Sequence, residues 1–200
     1  MEKHMNRINT RTATLIDAVI PGSGILREVA LVVSFACITA LFAQVSFWIG
    51  IVPITGQTFG AIVAGAVLGS RRGALSQLSY LLIGATGLPF WFALGGPVGI
   101  ARLIGPTAGY LYGFIAEAFV IGWLMENGWS KKLYKIIPAM LLGEVVLYAC
   151  GLAWLATFVP ANKLLQSGLY PFIAGDLIKM ALATAALPAG WAIVDRIKQQ

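Results

Sequence analysis

Charged residues are scarce in this sequence of 200 residues, and so are histidine and cysteine. Asp, Glu, Lys and Arg together make up 11% of the chain, whereas a soluble domain carries about 25% charged residues. So few charges cannot cover a water-facing surface of this size, which excludes an ordinary soluble protein. The single histidine, His4, lies in a polar stretch and is expected to be inert.

Several motifs of catalysis and metal binding are also missing. Cys37 and Cys150 lie inside apolar runs without the spacing of a metal site, and a disulfide framework is not expected. No G-x-x-x-x-G-K-[ST] loop is present, so we expect no ATP hydrolysis by this chain. Without a histidine pair or a nucleophile motif, we expect neither an enzyme active site nor a cofactor or metal. The first 26 residues lack the pattern of a signal peptide.

Hydrophobic sequence, in contrast, is abundant: 58% of the residues are hydrophobic and the mean hydropathy is +0.83. A helix that crosses a bilayer needs about 20 apolar residues. Six segments meet this requirement loosely, the second and third being short: 29–49, 58–68, 74–87, 106–125, 136–158 and 171–194. The sequence therefore predicts an all-α integral membrane protein with six transmembrane helices. Residues 1–26 are predicted to form a cytoplasmic segment at the membrane surface, and residues 27–200 the transmembrane domain.

The basic residues indicate the orientation, because cytoplasmic loops carry an excess of Lys and Arg. With the N-terminus inside, 11 of the 14 basic residues lie on the inner side, and the outer loops hold only Arg102 and Lys163. An odd number of crossings would move a basic cluster outside. We therefore expect a protein of the cytoplasmic membrane with both termini in the cytoplasm. Clusters held between apolar runs also argue against a nucleic-acid partner, despite the net charge of +6.

Four ionisable side chains lie within the predicted spans: Glu117, Glu144, Asp176 and Lys179. Each costs roughly 2.5–3.5 kcal/mol to insert and therefore requires a reason. Asp176 and Lys179 are three residues apart and share a helix face, which favours a site for a polar ligand over a self-neutralising pair. Glu117 and Glu144 have no cation at helical spacing, and both a structural hydrogen bond and a role in transport stay open for them.

Two outer loops carry further polar candidates. Arg102 lies in an unusually apolar loop, LPFWFALGGPVGIARLIG at 88–105, where its guanidinium can hold a carboxylate in a bidentate manner instead of facing water. Gln57 and Thr55 follow Pro53 where the chain enters the second helix. They can cap that helix, and the amide can also pair with a neutral urea-like group.

Five stretches in order along the chain resemble one known family. They are VPITGQTFG at 52–60, AGAVLGSRRGALS at 64–76, YLLIGATGLP at 80–89, ARLIGPTAGYLYGF at 101–114 and PFIAGDLIKMALA at 171–183. Together they resemble the BioY-type biotin transporters, which are substrate-capturing (S) components of energy-coupling factor (ECF) transporters. Each stretch alone is a weak signal, but five in order make the resemblance specific.

The resemblance implies the six-helix S-component fold with biotin bound near the outer face. Asp176 and Lys179 are then expected to contact the ureido ring and Arg102 the valerate carboxylate, although the two assignments can be exchanged. Gln57 and Thr55 belong to the same expected site. Apolar walls are expected from four aromatic residues, which are Tyr80, Trp91, Phe92 and Tyr110.

The family also implies partners, namely an ECF coupling membrane protein and two ATPases. Docking in such transporters involves an Ala-x-x-x-Ala face on the first helix, which Ala36 and Ala40 match, while Val32 and Gln44 interrupt it. Whether the chain works alone or with such a module stays open.

Three other functions also stay open on the sequence alone. They are capture of another vitamin such as thiamin or riboflavin, an intramembrane lipid-acting enzyme with Glu117 or Glu144 as its base, and a scaffold. Arg102 and Lys179 favour an anionic ligand over those vitamins, and the scaffold leaves the Asp176–Lys179 pair without a purpose.

Overall fold

The computed structural model of the chain describes residues 14–197, so His4 and half of the predicted surface segment, residues 1–13, lie outside the described part. The described helices are α1 (Leu15–Val19), α2 (Ile25–Ala43), α3 (Gln57–Leu68), α4 (Ser70–Ala85), α5 (Ile100–Ile104), α6 (Ala108–Leu124), α7 (Leu133–Leu155), α8 (Ala161–Gly168) and α9 (Ile173–Ile197). The strands are β1 (Ser46–Ile49) and β2 (Val52–Thr55), and a π-helical turn, Met125–Trp129, follows α6. The fold is therefore mostly helical, as predicted.

Four helical stretches are long and apolar enough to cross a membrane: Ile25–Ala43, Ala108–Trp129, Leu133–Leu155 and Ala161–Arg196. They correspond to the first, fourth, fifth and sixth predicted spans. The second and third predicted spans are the shorter helices α3 and α4, of 12 and 16 residues. At 1.5 Å per residue they are about 18 and 24 Å long, less than the roughly 30 Å of a bilayer core.

The first predicted span was wrong at its C-terminal end. The helix stops at Ala43, and residues Ser46–Ile49 instead pair antiparallel with Val52–Thr55 in a short hairpin. Gly50, with φ +79°, occupies the turn between the strands, a conformation that glycine adopts without strain. Hydropathy alone cannot show where the helix ends and this strand begins, because both segments are apolar.

Helix α6 is the centre of the bundle and packs against α3, α4 and α7. Within the stretch Ala108–Trp129, which comprises α6 and the π-helical turn, 67% of the most apolar 18-residue segment is buried, compared with 22% for the corresponding segment of α2. Gly122 permits a close approach, since a Cβ there would lie 2.3 Å from the carbonyl carbon of Gly69 in the turn between α3 and α4. Glu126 then accepts hydrogen bonds from the backbone N–H and the hydroxyl of Ser70, at 2.8 and 2.9 Å. The start of α4 is thereby fixed to the end of α6.

A cluster of four charged residues joins α1, α2 and α4 at the end of the bundle opposite the hairpin. Asp17 contacts Arg27 at 3.0 Å and Arg72 at 2.8 Å, and Glu28 binds both arginines. Burial alone would raise the pKa of Asp17, but hydrogen bonds from Thr14, Arg72 and Arg27 outweigh it and lower that pKa. The described part of the predicted surface segment is thus held against the bundle, where α1 also packs on α3 and α9.

The predicted docking residues Ala36 and Ala40 face inward, which corrects that prediction. Their exposed fractions are 0% and 6%, and they belong to a core cluster with Ala61 of α3 and Leu81 of α4. The outward face of α2 instead presents larger side chains, and these include Leu26, Val29, Val33 and Leu41. Cys37 and Cys150 are both free.

Candidate functional site

A cavity opens at the hairpin end of the bundle and brings most of the predicted site residues together. It contains about 510 Å³ of space between atoms, a volume that includes open solvent at its mouth. Its polar lining is Thr55, Gln57, Thr58, Arg102, Thr107, Tyr110, Tyr148, Asp176 and Lys179. Its apolar lining is Val52, Pro53, Leu111, Phe114, Leu147 and Phe172.

Asp176 and Lys179 form an ion pair in the cavity wall. The ammonium of Lys179 donates to Asp176 Oδ1 at 2.8 Å, as the spacing of three residues on one helix predicts. Tyr148 of α7 donates to the other carboxylate oxygen, Oδ2. Only 5% of Asp176 is exposed, so the charges of this pair are fixed in place by their partners rather than by solvent.

Arg102 is the other charged group of the cavity, and it is buried without an anion. Only 2% of the residue is exposed, yet no carboxylate of residues 14–197 lies within ion-pair distance of its guanidinium. Within the described part of the chain it donates only to the carbonyl oxygen of Ala93, at 3.3 Å, and it lies 5.5 Å from the centre of the Trp48 ring. Burial lowers the pKa of Arg102, but an arginine remains protonated at neutral pH. A buried cation in this state has the chemistry to bind an anionic ligand.

Gln57 and Thr55 adopt one of the two roles considered for them, at the start of α3, and the pairing of the amide with a ligand stays a prediction. Thr55 Oγ1 accepts from the Gln57 backbone N–H at 3.3 Å and donates to the Gln57 side-chain oxygen at 2.9 Å, which caps the start of α3. The Gln57 amide nitrogen donates to the Tyr80 hydroxyl. Both side chains also line the cavity, so the amide lies where a ligand can reach it.

Three predicted aromatic wall residues, Tyr80, Trp91 and Phe92, lie one layer behind the cavity, which corrects their assignment. Tyr80 is fully buried and reaches the cavity only through Gln57. Trp91 stacks on Tyr80 at 5.9 Å between ring centres, and Phe92 meets it edge-on at 5.3 Å. These rings support the site from behind. Tyr110, the fourth predicted aromatic, does line the cavity, and its hydroxyl donates to the Gly168 carbonyl at 2.7 Å.

The sequence analysis missed Phe114, Tyr148 and Phe172, which supply the remaining aromatic walls. Tyr148 could have been found from its spacing, since it follows the intramembrane Glu144 by four residues and so shares its helix face. Phe172 precedes the first turn of α9 and has no such signal.

The mouth of the cavity is bordered by the loop between α4 and α6, which is attached to the hairpin. Trp48 of β1 donates to the Leu94 carbonyl at 2.6 Å, and Gln44 donates to the Phe90 carbonyl at 2.7 Å. Because Arg102 belongs to the same loop, these two contacts also hold its guanidinium near the cavity. Among residues 14–197 no cluster of three or more metal-ligating side chains occurs.

Comparisons with known proteins agree with this geometry. A sequence model described as the BioY family matches residues 6–196. The "Probable biotin transporter BioY" of Pyrococcus horikoshii is 42% identical over 157 residues, which are 78% of this chain and 91% of that protein. The "Biotin transporter BioY" of Rhizobium etli is 40% identical over 164 residues, 73% of this chain and 87% of that protein. A crystal structure of the S-component for biotin from an ECF-type ABC transporter superposes with a TM-score of 0.69 at 27% identity, covering 88% of this chain and 92% of the other.

Proposed function

The chain belongs to the BioY family, and we propose that it captures biotin at the hairpin end and serves its uptake as the S component of an ECF-type transporter. The observation that carries the proposal is a single cavity containing a buried, unpaired Arg102 together with the Asp176–Lys179 pair. Biotin offers an anion at one end and a neutral ring with donors and an acceptor at the other. These are the groups that such a lining complements.

The contacts favour one orientation of biotin over its reverse. Lys179 already has an anionic partner, whereas Arg102 has none among the described residues. The valerate carboxylate therefore gains most beside Arg102. The ureido ring then lies toward Asp176, Tyr148 and Gln57, where a carboxylate and an amide oxygen can accept its N–H groups. The phenyl and aliphatic side chains of Phe114, Phe172 and their neighbours surround the apolar middle of the ligand.

Equilibrium binding of biotin to the purified chain in detergent tests this assignment. We expect one site, with a dissociation constant far below the millimolar level that corresponds to about −4 kcal/mol. Thiamin and riboflavin serve as comparison ligands, because neither has a carboxylate for Arg102. Millimolar binding of biotin combined with tight binding of another vitamin would overturn the proposal. A lipid-acting enzyme is disfavoured by the names of the relatives, which are transporters.

We also propose six crossings of the cytoplasmic membrane, with both termini inside and the hairpin end outside. In support, α3 and α4 run from the hairpin end to the opposite end and back, and the basic residues around Arg72 and Lys132 then lie on the inner side. Residues 27–200 would form this transmembrane domain. The outer ends of α3 and α4 meet the hairpin and the loop of Arg102, so these two short helices can still complete the bundle.

Labelling of single cysteines with a membrane-impermeant maleimide tests this topology in intact cells. In a background with Cys37 and Cys150 changed to alanine, we expect Lys163→Cys in α8 to react from outside. Lys132→Cys, exposed before α7, should react only after the membrane is permeabilised. Labelling of both sites, or of Lys132→Cys alone, in intact cells contradicts the six-crossing arrangement.

We infer that an ECF coupling protein and ATPases are the partners, on the strength of the matched S-component alone. Since Ala36 and Ala40 are buried, any contact through α2 must use its outward side chains. Copurification of the chain with such a module tests the partnership, and a chain that transports biotin in vesicles without ATPases would contradict it.

A further inference from the structure

Two glutamates lie one helical turn beyond the cavity, and neither takes part in the contacts described above. Glu117 of α6 follows the cavity residue Phe114 by three positions, and Glu144 of α7 precedes Leu147 by three. Their exposed fractions are 0% and 5%. Helices α6 and α7 form the most extensive contact of the bundle, and Glu117 packs beside Gly143, the neighbour of Glu144. The two carboxyl groups therefore share the interior beneath the cavity floor.

All four oxygens of these carboxyl groups lack a hydrogen-bond partner within residues 14–197. A buried carboxylate without donors is among the costliest groups in a protein, and more so in a membrane. A structural hydrogen bond between helices, which the sequence left open, is thus absent for both glutamates in the described structure. The side chains are held in the core without any group that stabilises a negative charge on them.

The surrounding charges do not neutralise the two glutamates either. Electrostatic interactions reach both from Asp176 and Lys179 of α9, and Glu144 also acts on Glu117. The single ammonium is already bonded to Asp176, whose second oxygen accepts from Tyr148. Helix α3 has no titratable residue, Tyr80 of α4 accepts from Gln57, and Glu126 of the π-helical turn binds Ser70. Three carboxyl groups and one ammonium are electrically neutral when two of the carboxyl groups carry protons. Asp176 is the carboxyl whose charge Lys179 and Tyr148 stabilise, so the two protons fall on the glutamates.

We propose that Glu117 and Glu144 form a proton-binding site beneath the cavity, and that protons on this site favour the binding of an anionic ligand above it. The inference rests on the proposed function for the identity of that ligand. Loss of a proton places a negative charge beneath the cavity that holds the anion, in a region that water does not screen. Binding and protonation therefore strengthen each other, as reciprocal linkage requires.

The direction of the pH dependence follows from this linkage. The complex with biotin holds more protons on the pair than the free protein does, so the affinity is highest at acidic pH and falls as the pH rises. We expect roughly a tenfold loss between about pH 6 and about pH 9, a typical coupling between two sites. Glu117→Gln and Glu144→Gln mimic the protonated state, so the double variant should bind biotin with nearly the same affinity across that range.

Two measurements test the proposal, and the first does not depend on the ligand. Infrared spectra of the purified protein at neutral pH should show the C=O stretch of protonated carboxyl groups, reduced in each glutamine variant. Asp195→Asn is the matched control, because Asp195 is a half-exposed carboxylate 3.9 Å from Lys131, and its removal should leave the band unchanged. The second measurement is biotin affinity over the pH series for the native chain, the double glutamine variant and this control.

Each outcome bears on one of the two proposals. A carboxyl band that is undiminished in both glutamine variants, or a pH dependence that survives in the double variant, overturns the proton site. Absence of biotin binding at every pH contradicts the proposed function, while the infrared band still decides the proton site. Glutamine variants that unfold where the native protein is stable also contradict the proposal, since a neutral amide of the same shape should replace a protonated carboxyl.

Discussion

Asp176→Asn is expected to weaken biotin binding by at least about 2 kcal/mol, roughly thirtyfold. The asparagine keeps the shape of the side chain but removes the charge that holds Lys179 and accepts from Tyr148. A ligand donor that faced the carboxylate would lose its charge-assisted bond, and the ammonium would be left without its anion. Equilibrium binding measures the effect, with the exposed Asp195→Asn as the matched control.

The double variant Asp176→Asn/Lys179→Met separates a binding role from a purely structural one. Removing one member of a buried ion pair destabilises a protein by about 3–5 kcal/mol, whereas replacing both members is often nearly neutral. The double variant should therefore regain the thermal stability that Asp176→Asn loses, while its biotin affinity stays low. Recovery of both properties would mean that the pair only neutralises itself, the alternative that the sequence left open.

Polar residues of the site were predictable because they stand out against an apolar background. Asp176, Lys179, Arg102 and Gln57 each require a reason to lie in or beside a membrane span, and the structure places all four in one cavity. The distances between these residues could not be predicted, because they lie on separate elements. Their shared position at one end of the bundle followed from the predicted even number of spans.

Aromatic residues gave no comparable signal. Tyr80, Trp91 and Phe92 occur in a sequence where hydrophobic residues make up 58% of the chain, so a wall of the cavity and the layer behind it have the same composition. Only the contact between Tyr80 and Gln57 shows that these rings lie in the second layer.

The sequence also could not show which side of α2 faces the inside of the bundle. In a soluble protein the polar side of a helix reveals which side is buried, but lipid is as apolar as the protein core. Val33 and Leu41 of the outward face are as hydrophobic as Ala36 and Ala40 of the inward face. Small residues at a spacing of four therefore indicated a close contact correctly, but the contact is within the bundle rather than with a partner.

Arg102→Gln is expected to weaken biotin binding by about 1.5–3 kcal/mol, the contribution of a hydrogen bond to a charged group. The guanidinium lacks an anionic partner in the described structure, so a bound carboxylate would be its first. Glutamine retains a donor of similar reach but cannot form the bidentate charged contact. Arg102→Lys should give an intermediate affinity, because it retains the charge without the planar fork.

Biotin methyl ester assigns this loss to the carboxylate. The native chain should bind the ester about as weakly as Arg102→Gln binds biotin, and the variant should bind the two ligands with nearly equal affinity. If Arg102→Gln lowered the affinities for biotin and for the ester equally, Arg102 would not be the residue that contacts the carboxylate. If in addition Lys179→Met weakened the binding of biotin but not the binding of the ester, the orientation would be reversed, with the carboxylate beside Lys179. The unpaired state of Arg102 and the occupied state of Lys179 favour the first result.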